Sequence, residues 1–404
     1  MEGPMITGET ILCYAPDPWA GLWRNRHQIM TRLAQRNTVL YIEQRIYLRE
    51  LSRRLRAGQI GLADLRRPTL VHQQDGLWLY RDPIYAPYAD RLSGGALTAW
   101  VRRSAMRRAL KKLGSAAPIL WLLRPFHADQ IGHYSEKLVV YHVTDEYSCF
   151  PAVTDVVAFA RQEEALIRRA DLVLVTSPGL LTSKGCFNPH TYLVPNAVDY
   201  AGFQAALAAG HRLPALDALP TAKGRPRIGY VGALNKKVDF ELIAEIARAR
   251  PDWQFVMVGA LDQTGRPGLI EAVQPLPNVY WLGRLPVEQV PAVIAAMDVC
   301  LLPYQRDTWT ANIDSLKLYE YLACGKPVVA TDVPAARVFE RLVHIVEGGG
   351  GFVAAIEMAL AEHSPALVDT RRAAAAANTW DMRVAQIEGL LVQALQRKVG
   401  GVAG

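Results

Sequence analysis

Residues 303–332 read PYQRDTWTANIDSLKLYEYLACGKPVVATD, and the order of apolar and polar segments in this stretch decides the fold. The apolar run 299–303 leads into a polar loop at 305–312. A short amphipathic helix follows at 316–324, then a Gly-Lys-Pro turn, then the apolar run 327–331. A strand that is apolar at consecutive positions, rather than at every second one, is buried on both faces, as strands of a parallel sheet are. Strand, loop, helix, turn and strand in that order make one βαβ unit.

The same rhythm extends both ways along the 404 residues. Toward the C-terminus, strands are expected at 228–232, 254–259, 279–283, 299–303, 327–331 and 343–347, with helices at 240–250, 287–297, 316–324, 335–341 and 352–363. Toward the N-terminus, strands are expected at 10–15, 38–43, 77–81, 118–123, 137–143, 171–176 and 191–195, with helices at 27–36, 96–113 and 153–169. Between the two series, residues 200–227 are rich in Ala, Leu, Pro and Gly and show no strand. The length exceeds what one hydrophobic core commonly serves. The predicted fold is α/β: two Rossmann-like, doubly wound parallel-sheet domains facing a cleft. The boundaries are 1–212 for a first domain, 213–226 for a linker, 227–372 for a second domain, and 373–404 for a helical tail crossing back to the first domain.

Composition narrows the function. Half the residues are hydrophobic and 21% are charged, a globular balance. No apolar run approaches the roughly 20 residues that span a bilayer, and Met1 to Thr10 lacks the basic start and apolar stretch of a secretory signal. A cytoplasmic location is expected. The five cysteines, Cys13, Cys149, Cys186, Cys300 and Cys324, have no metal-ligand spacing, so reduced thiols and no metal are expected. The net charge is +7, with basic clusters at 49–56, 66–67 and 102–112. Such clusters suit an anionic membrane surface or a solvated helix face. No helix-turn-helix, zinc finger or RNA-binding sheet motif accompanies them, so nucleic acid is not an expected partner.

Ligands of doubly wound sheets bind beyond the C-terminal ends of the strands. There the first loop of the second domain reads Gly232-Ala233-Leu234-Asn235-Lys236-Lys237. A glycine after a strand lets backbone approach a phosphate, and two lysines add charge for a diphosphate. Gly259, and Gly283 with Arg284 and Leu285, end the next two strands and would wall the same pocket. Tyr304 ends a fourth. Ser315-Leu316-Lys317 opens a helix whose N–H groups could hold a phosphate, and Glu320 one turn in could accept from two adjacent ribose hydroxyls, or else pair with Lys317 or Lys326.

These residues resemble the donor signature of GT-B glycosyltransferases, especially glycosyltransferase family 4 and its relatives, in bacterial polysaccharide and glycoconjugate biosynthesis. The likeness covers roughly residues 135–395 and is strongest over 228–332. It implies glycosyl transfer from a nucleotide sugar, such as a UDP- or GDP-sugar, used as co-substrate without a further cofactor. It implies ribose binding by Glu320, and donor contacts from Gly232, Lys236, Lys237, Gly259, Arg284, Leu285, Tyr304, Asn312, Ser315, Leu316 and Lys317. Asn312 stands where many members carry a second Glu, so retention or inversion is not read from it.

In the first domain, Tyr141-His142-Val143-Thr144-Asp145-Glu146 resembles a strand end of polysaccharide-assembling relatives, and Val194-Pro195-Asn196-Ala197-Val198-Asp199 the family's closing segment. An attacking hydroxyl benefits from a base within hydrogen-bond reach. Asp145 is the candidate if the enzyme inverts, and His127, in Arg124-Pro125-Phe126-His127, is the rival. Trp19, Trp23 and Arg24 follow the first strand and are candidate acceptor contacts. The acceptor would be a saccharide, a lipid-linked or a small molecule, reached from a peripheral position on the inner face of the membrane. A soluble natural-product acceptor, a nucleotide-sugar epimerase or phosphorylase, and an inactive binding subunit remain as alternatives.

Overall fold

A computed structural model describes residues 4–21, 23–44, 48–58, 68–83, 95–210, 213–219, 225–264 and 266–401. The basic pair Arg66-Arg67 and part of the expected linker lie outside the described residues.

The first sheet contains β1 (Thr10–Tyr14), β2 (Thr38–Ile42), β3 (Leu70–Gln74), β4 (Leu77–Tyr80), β5 (Ile119–Leu122), β6 (Leu138–Val143), β7 (Leu172–Val175) and β8 (Thr191–Leu193), in the order β3-β4-β2-β1-β5-β6-β7-β8. Seven strands run parallel. The exception is β3, which pairs antiparallel with β4 at the edge. Its sequence LVHQQ turns polar and exposed toward its end, so the strand carries no buried apolar signature and was not expected. The second sheet contains β9 (Arg227–Val231), β10 (Gln254–Val258), β11 (Val279–Gly283), β12 (Val299–Leu302), β13 (Val328–Thr331) and β14 (Val343–Val346), ordered β11-β10-β9-β12-β13-β14. Each sheet reverses direction beside its first strand, at β1/β5 and at β9/β12. A crevice opens at such a switch point, where neighbouring loops leave on opposite faces.

Helices α1 (Asn25–Leu33), α2 (Leu48–Arg56), α3 (Gly95–Lys112), α4 (Val156–Arg169) and α5 (Pro178–Gly185) belong to the first sheet. α4 starts three residues later than its apolar pattern suggests, because the Asp155 carboxylate accepts from Ala158 N (2.9 Å) and caps the helix there. Next come α6 (Tyr200–Ala209), α7 (Pro214–Asp217), α8 (Phe240–Ala249), α9 (Val290–Ala295), α10 (Leu316–Ala323), α11 (Pro334–Arg337), α12 (Gly348–Leu360), α13 (Pro365–Ala376) and α14 (Trp380–Gly401).

Two boundaries differ from expectation. The segment 200–209, placed with the first domain, is a helix whose Tyr200, Phe203 and Leu207 pack on the second domain's core. The boundary at 372/373 falls inside α13, which lies against α10. The return begins at Trp380: Trp380, Val384, Ile387, Leu391 and Ala394 of α14 enter the first domain's core beside Ile29, Met30 and Leu33 of α1. Full burial of each large apolar side chain contributes on the order of 2 kcal/mol. α14 is thus an integral part of the first domain.

No helix of the described residues is long and apolar enough to cross a membrane, and among them no cluster of His, Cys, Asp or Glu is arranged to hold a metal.

Candidate active site at the domain seam

The loops after β1, β5 and β6 of the first domain meet those after β9 and β12 of the second. Each brings a charged or aromatic group to one place.

Two glycines shape the donor side. At the end of β9, Gly232 (φ +146°) donates to Val258 O at 2.8 Å, and at the end of β10, Gly259 (φ +142°) donates to Gly283 O at 2.8 Å. Both backbones lie where side chains are rarely tolerated. A Cβ on Gly259 would fall 1.9 Å from Gly232 O, and one on Gly232 would fall 1.9 Å from Lys317 Cε. The bare backbone of Gly232 is the bed over which the Lys317 side chain lies. Tyr321 pins this strand end, its hydroxyl accepting from Val231 N at 2.9 Å.

Lys317 is buried, its Nζ 3.4 Å from the Tyr304 hydroxyl, which also meets Ser315 Oγ at 3.3 Å. Lys237 Nζ lies 5.6 Å from the Tyr304 ring centre and 5.7 Å from that of Trp309. Burial raises a phenol's pKa, but the ammonium groups of Lys317 and Lys237 outweigh it and hold Tyr304 below its usual value, at about 8. Burial likewise lowers Lys237, and the charges of Lys317 and Arg24 add to the effect, with Tyr304 and Asp145 opposing. Concentrated, partly desolvated positive charge of this kind suits a polyanion.

Glu320 faces this cluster from α10. Among the described residues its carboxyl forms no hydrogen bond or ion pair, so it does not close a pair with Lys317 or Lys326. Burial pushes it up to about 7, with Lys317 opposing. A half-buried carboxyl without a protein partner is an acceptor held in reserve. Beyond the end of β10, Leu234, Gly259, Trp281, Gly283 and Arg284 help line a cavity of about 330 Å³. Leu285 packs on the second domain's core, and Arg284 reaches across to donate to Gly21 O at 3.3 Å. A larger cavity, about 610 Å³, lies around Asp298, Lys326 and Arg371. It sits at the opening ends of β12 and β13, the wrong end of the sheet for this chemistry.

The two adjacent lysines part company. Lys237 stays with Tyr304, whereas Lys236 Nζ donates to Cys149 O of the first domain at 2.7 Å. Asn312 also turns to the seam: its Nδ2 donates to Thr308 O (2.8 Å), its carbonyl accepts from Ser177 Oγ (2.7 Å), and its Oδ1 lies against Gly179. Leu316 packs on the first domain's core. Asp314 receives Asn196 N at 2.5 Å, and its carbonyl receives Asn196 Nδ2 at 2.8 Å.

On the first-domain side, Asp145 Oδ1 accepts from the Trp309 indole N–H at 2.6 Å. Burial raises the Asp145 carboxyl, against the pull of Lys237, the Trp309 hydrogen bond, Arg124 and Arg24. His127 is buried instead, packed between Tyr14 (5.3 Å) and Phe126 (4.4 Å). Trp19 is buried too, against His27 (4.8 Å) and Tyr41 (4.9 Å). Its N–H donates to Glu43 Oε1 at 2.9 Å and its carbonyl meets His27 Nε2 at 3.2 Å, so it anchors the loop rather than lining a surface. Trp23 stacks on His27 and stays 41% exposed, and Arg24 is exposed beside Asp17.

Sequence reasoning passed over Trp309 and Asp314. A tryptophan inside an otherwise polar loop at a switch point was the available signal for the first. Nothing local marks the second, whose partner Asn196 is 118 residues away.

Residues 225–368 match the family model described as Glycosyl transferases group 1. Over 239 residues the chain is 32% identical to TuaH of Bacillus subtilis (strain 168), named as a teichuronic acid biosynthesis glycosyltransferase; the match covers 56% of this chain and 57% of that one. It is 30% identical over 188 residues to the 2-deoxystreptamine glucosyltransferase of Streptomyces kanamyceticus, covering 45% of this chain and 46% of that one. The chain thus spans about half the length of these curated relatives. Among solved structures, sucrose-phosphate synthase from Thermosynechococcus elongatus superposes with TM-score 0.69 at 18% identity, over 97% of this chain and 100% of that one. Anabaena HepE in complex with UDP and glucose does so with TM-score 0.65 at 16% identity, over 95% and 100%. The chain has the GT-B fold, and over residues 225–368 its second domain is similar to the glycosyl transferases group 1 family.

Proposed function

We propose that this protein moves a glycosyl group from a nucleotide sugar to a hydroxyl of an acceptor held by the first domain, in the assembly of a cell-surface polysaccharide or glycoconjugate. The observation that carries the reading is the nearness of the Glu320 carboxyl, unpartnered among the described residues, to the Lys237–Lys317–Tyr304 cluster over Gly232. A ribose diol donates to the carboxylate, and the diphosphate lies against the two ammonium groups and the first N–H groups of α10. As the glycosidic bond breaks, the same groups stabilise the charge gathering on the diphosphate. The base, a UDP- or GDP-type nucleobase, fits the cavity beside Gly259 and Arg284. Asp145 is the preferred base over His127, since it lies at the seam while His127 is packed within the first domain.

Thermal melts with a panel of nucleoside diphosphates and nucleotide sugars test the reading, because a ligand bound only by the folded state raises the melting temperature. At least one nucleotide sugar should stabilise the chain, and Glu320→Ala should abolish that shift without unfolding the protein. No shift from any donor would end the proposal.

A peripheral position on anionic membrane belongs to the same reading. α3 leaves Leu97 and Trp100 exposed, at 65% and 63%, on a helix that also carries exposed Arg107, Arg108, Lys111 and Lys112. Apolar side chains among basic ones suit an anionic interface. Sedimentation with phosphatidylglycerol vesicles at low salt should exceed that with neutral vesicles and fall in Trp100→Ala.

A further inference from the structure

Beyond Asp145, the loops after β5 and β6 and the start of α4 enclose a cavity of about 570 Å³, lined in part by Arg124, Phe126, Tyr147, Phe150, Val153 and Phe159. The volume falls in the range of roughly 300–1,000 Å³ that small-ligand sites occupy. Its inner end touches the seam. The Phe150 ring packs on Trp309 of the second domain at 5.4 Å, and Trp309 in turn holds Asp145.

The wall is aromatic, with one cation set into it. The Arg124 guanidinium lies on the Tyr147 ring at 3.8 Å and is 5.6 Å from the Phe150 centre. Among the described residues it forms no ion pair, and its one hydrogen bond runs from Nη1 to the neighbouring Leu123 O at 2.7 Å. A guanidinium has five N–H donors in a planar fork, so most of Arg124's donors have no acceptor among the described residues. Among the described lining residues, Asp155 is the one carboxylate; it is exposed, and it is occupied in capping α4. The inner end is therefore cationic, and Arg24 and Lys237 reinforce it from the neighbouring loops.

We infer that this cavity is the acceptor subsite and that it selects an acceptor bearing an anionic group, a carboxylate or a phosphate on a sugar ring. Arg124 binds the anion through its fork, and the apolar faces of the ring lie on Phe126, Phe150 and Phe159. An acceptor hydroxyl then points past Phe150 toward Asp145. Cationic amino sugars are disfavoured by the same charge. The inference rests on the glycosyl-transfer reading and sharpens it to an acceptor class.

The test is equilibrium binding to the full chain saturated with UDP. The probes are p-nitrophenyl glucuronide, p-nitrophenyl glucose 6-phosphate, p-nitrophenyl glucoside and p-nitrophenyl glucosaminide. One of the two anionic probes should bind about ten-fold tighter than the glucoside, the effect of one charge-assisted contact, and the glucosaminide should bind weakest. A preference for the glucuronide identifies carboxylate acceptors, and one for the 6-phosphate identifies phosphorylated ones. Arg124→Gln should erase the preference and Arg124→Lys should keep part of it. Phe159→Ala should weaken all four probes alike. Should Arg124→Gln fail to fold, salt titration of the wild type gives the same answer, since the preference must shrink as salt rises. Equal binding of glucoside and glucuronide to UDP-bound wild type overturns the inference. A chain that binds no nucleotide at all overturns the transfer reading instead.

Discussion

The indole N–H of Trp309 donates to Oδ1 of Asp145 at 2.6 Å, tying the loop after β12 in one domain to the loop after β6 in the other. The bond serves two ends. It fixes the carboxylate's direction, and it counters the burial that raises the Asp145 pKa. Trp309→Phe keeps an aromatic ring for Phe150 and removes only the donor. The Asp145 carboxyl should then rise further. A base must be deprotonated, so activity falls as pH drops through its pKa. The acid limb of the kcat/KM profile should therefore move to higher pH, by about one unit for one lost hydrogen bond. If transfer proceeds unchanged in Asp145→Asn, the base lies elsewhere.

Glu320 couples donor binding to pH. Burial holds its carboxyl up at about 7 in the empty protein, above the ordinary 4.5. Binding needs the carboxylate, so affinity for a nucleotide sugar should weaken as pH falls below about 7, approaching ten-fold per unit. Glu320→Gln should flatten that dependence and cost roughly ten- to a hundred-fold in affinity at pH 8. The stability effect has the opposite sign. A carboxyl whose folded pKa is raised contributes stability that is present below 4.5 and lost as pH rises through 7. Glutamine cannot ionise and keeps that stability. At pH 8 the variant should melt higher than wild type by a few degrees, on the order of 2 kcal/mol, and at pH 4.5 the two should coincide. Equal melting temperatures at pH 8 would place the Glu320 carboxyl in water rather than in a desolvated donor site.

The fold was legible because its strands are apolar at successive positions, and β1, β2, β6 and β10 stand within a residue or two of their expected ends. The antiparallel edge strand β3 escaped because an exposed strand ending His-Gln-Gln resembles a loop. α6 was missed because its Ala-rich sequence has little periodic contrast, although Asp199 and Gly210 cap its ends, and its docking on α9 and α10 is a tertiary choice. The donor side of the site was legible because Gly232, Gly259, Lys317 and Glu320 sit in short βα units, where sequence order fixes position. Trp19 shows the opposite case. A tryptophan in a cleft loop reads equally as a ligand platform or an anchor, and only its bonds to Glu43 and His27 decide for the anchor.

Two glycine substitutions should separate fold from function. At Gly259 an added Cβ meets the rigid backbone oxygen of Gly232 at 1.9 Å, so Gly259→Ala must displace a strand end. A loss of about 3 kcal/mol or more is expected, read as a large fall in melting temperature. At Gly232 the Cβ meets the flexible end of Lys317, which can swing away. Gly232→Ala also strains a φ of +146°, but its main cost should be donor affinity, weakened by ten-fold or more with a smaller fall in melting temperature. A Gly232→Ala protein with wild-type donor affinity would show that Lys317 does not meet the diphosphate from this bed.

The seam between the domains rests on a side chain that the donor does not touch. Asp314 accepts Asn196 N at 2.5 Å and the Tyr319 hydroxyl at 3.1 Å, and burial pushes its carboxyl up to about 6. Asp314→Ala leaves the Asn196 N–H without its acceptor in a buried place, at a cost of about 1–3 kcal/mol. It also removes the group that binds the segment entering α10 to the segment leaving β8. The domains have separate cores, joined here, at Ser177–Asn312, Asp145–Trp309, Lys236–Cys149 and Arg284–Gly21, and through α14. Weakening one of these ties should loosen coupling before it unfolds either core. Calorimetry should show one transition for wild type and a broadened or split one for Asp314→Ala, the sign that two-state behaviour has failed. Nucleotide affinity should fall less than two-fold, because the Glu320 and Lys317 side chains lie wholly within the second domain. A single sharp transition in the variant would mean that the remaining ties carry the coupling without Asp314.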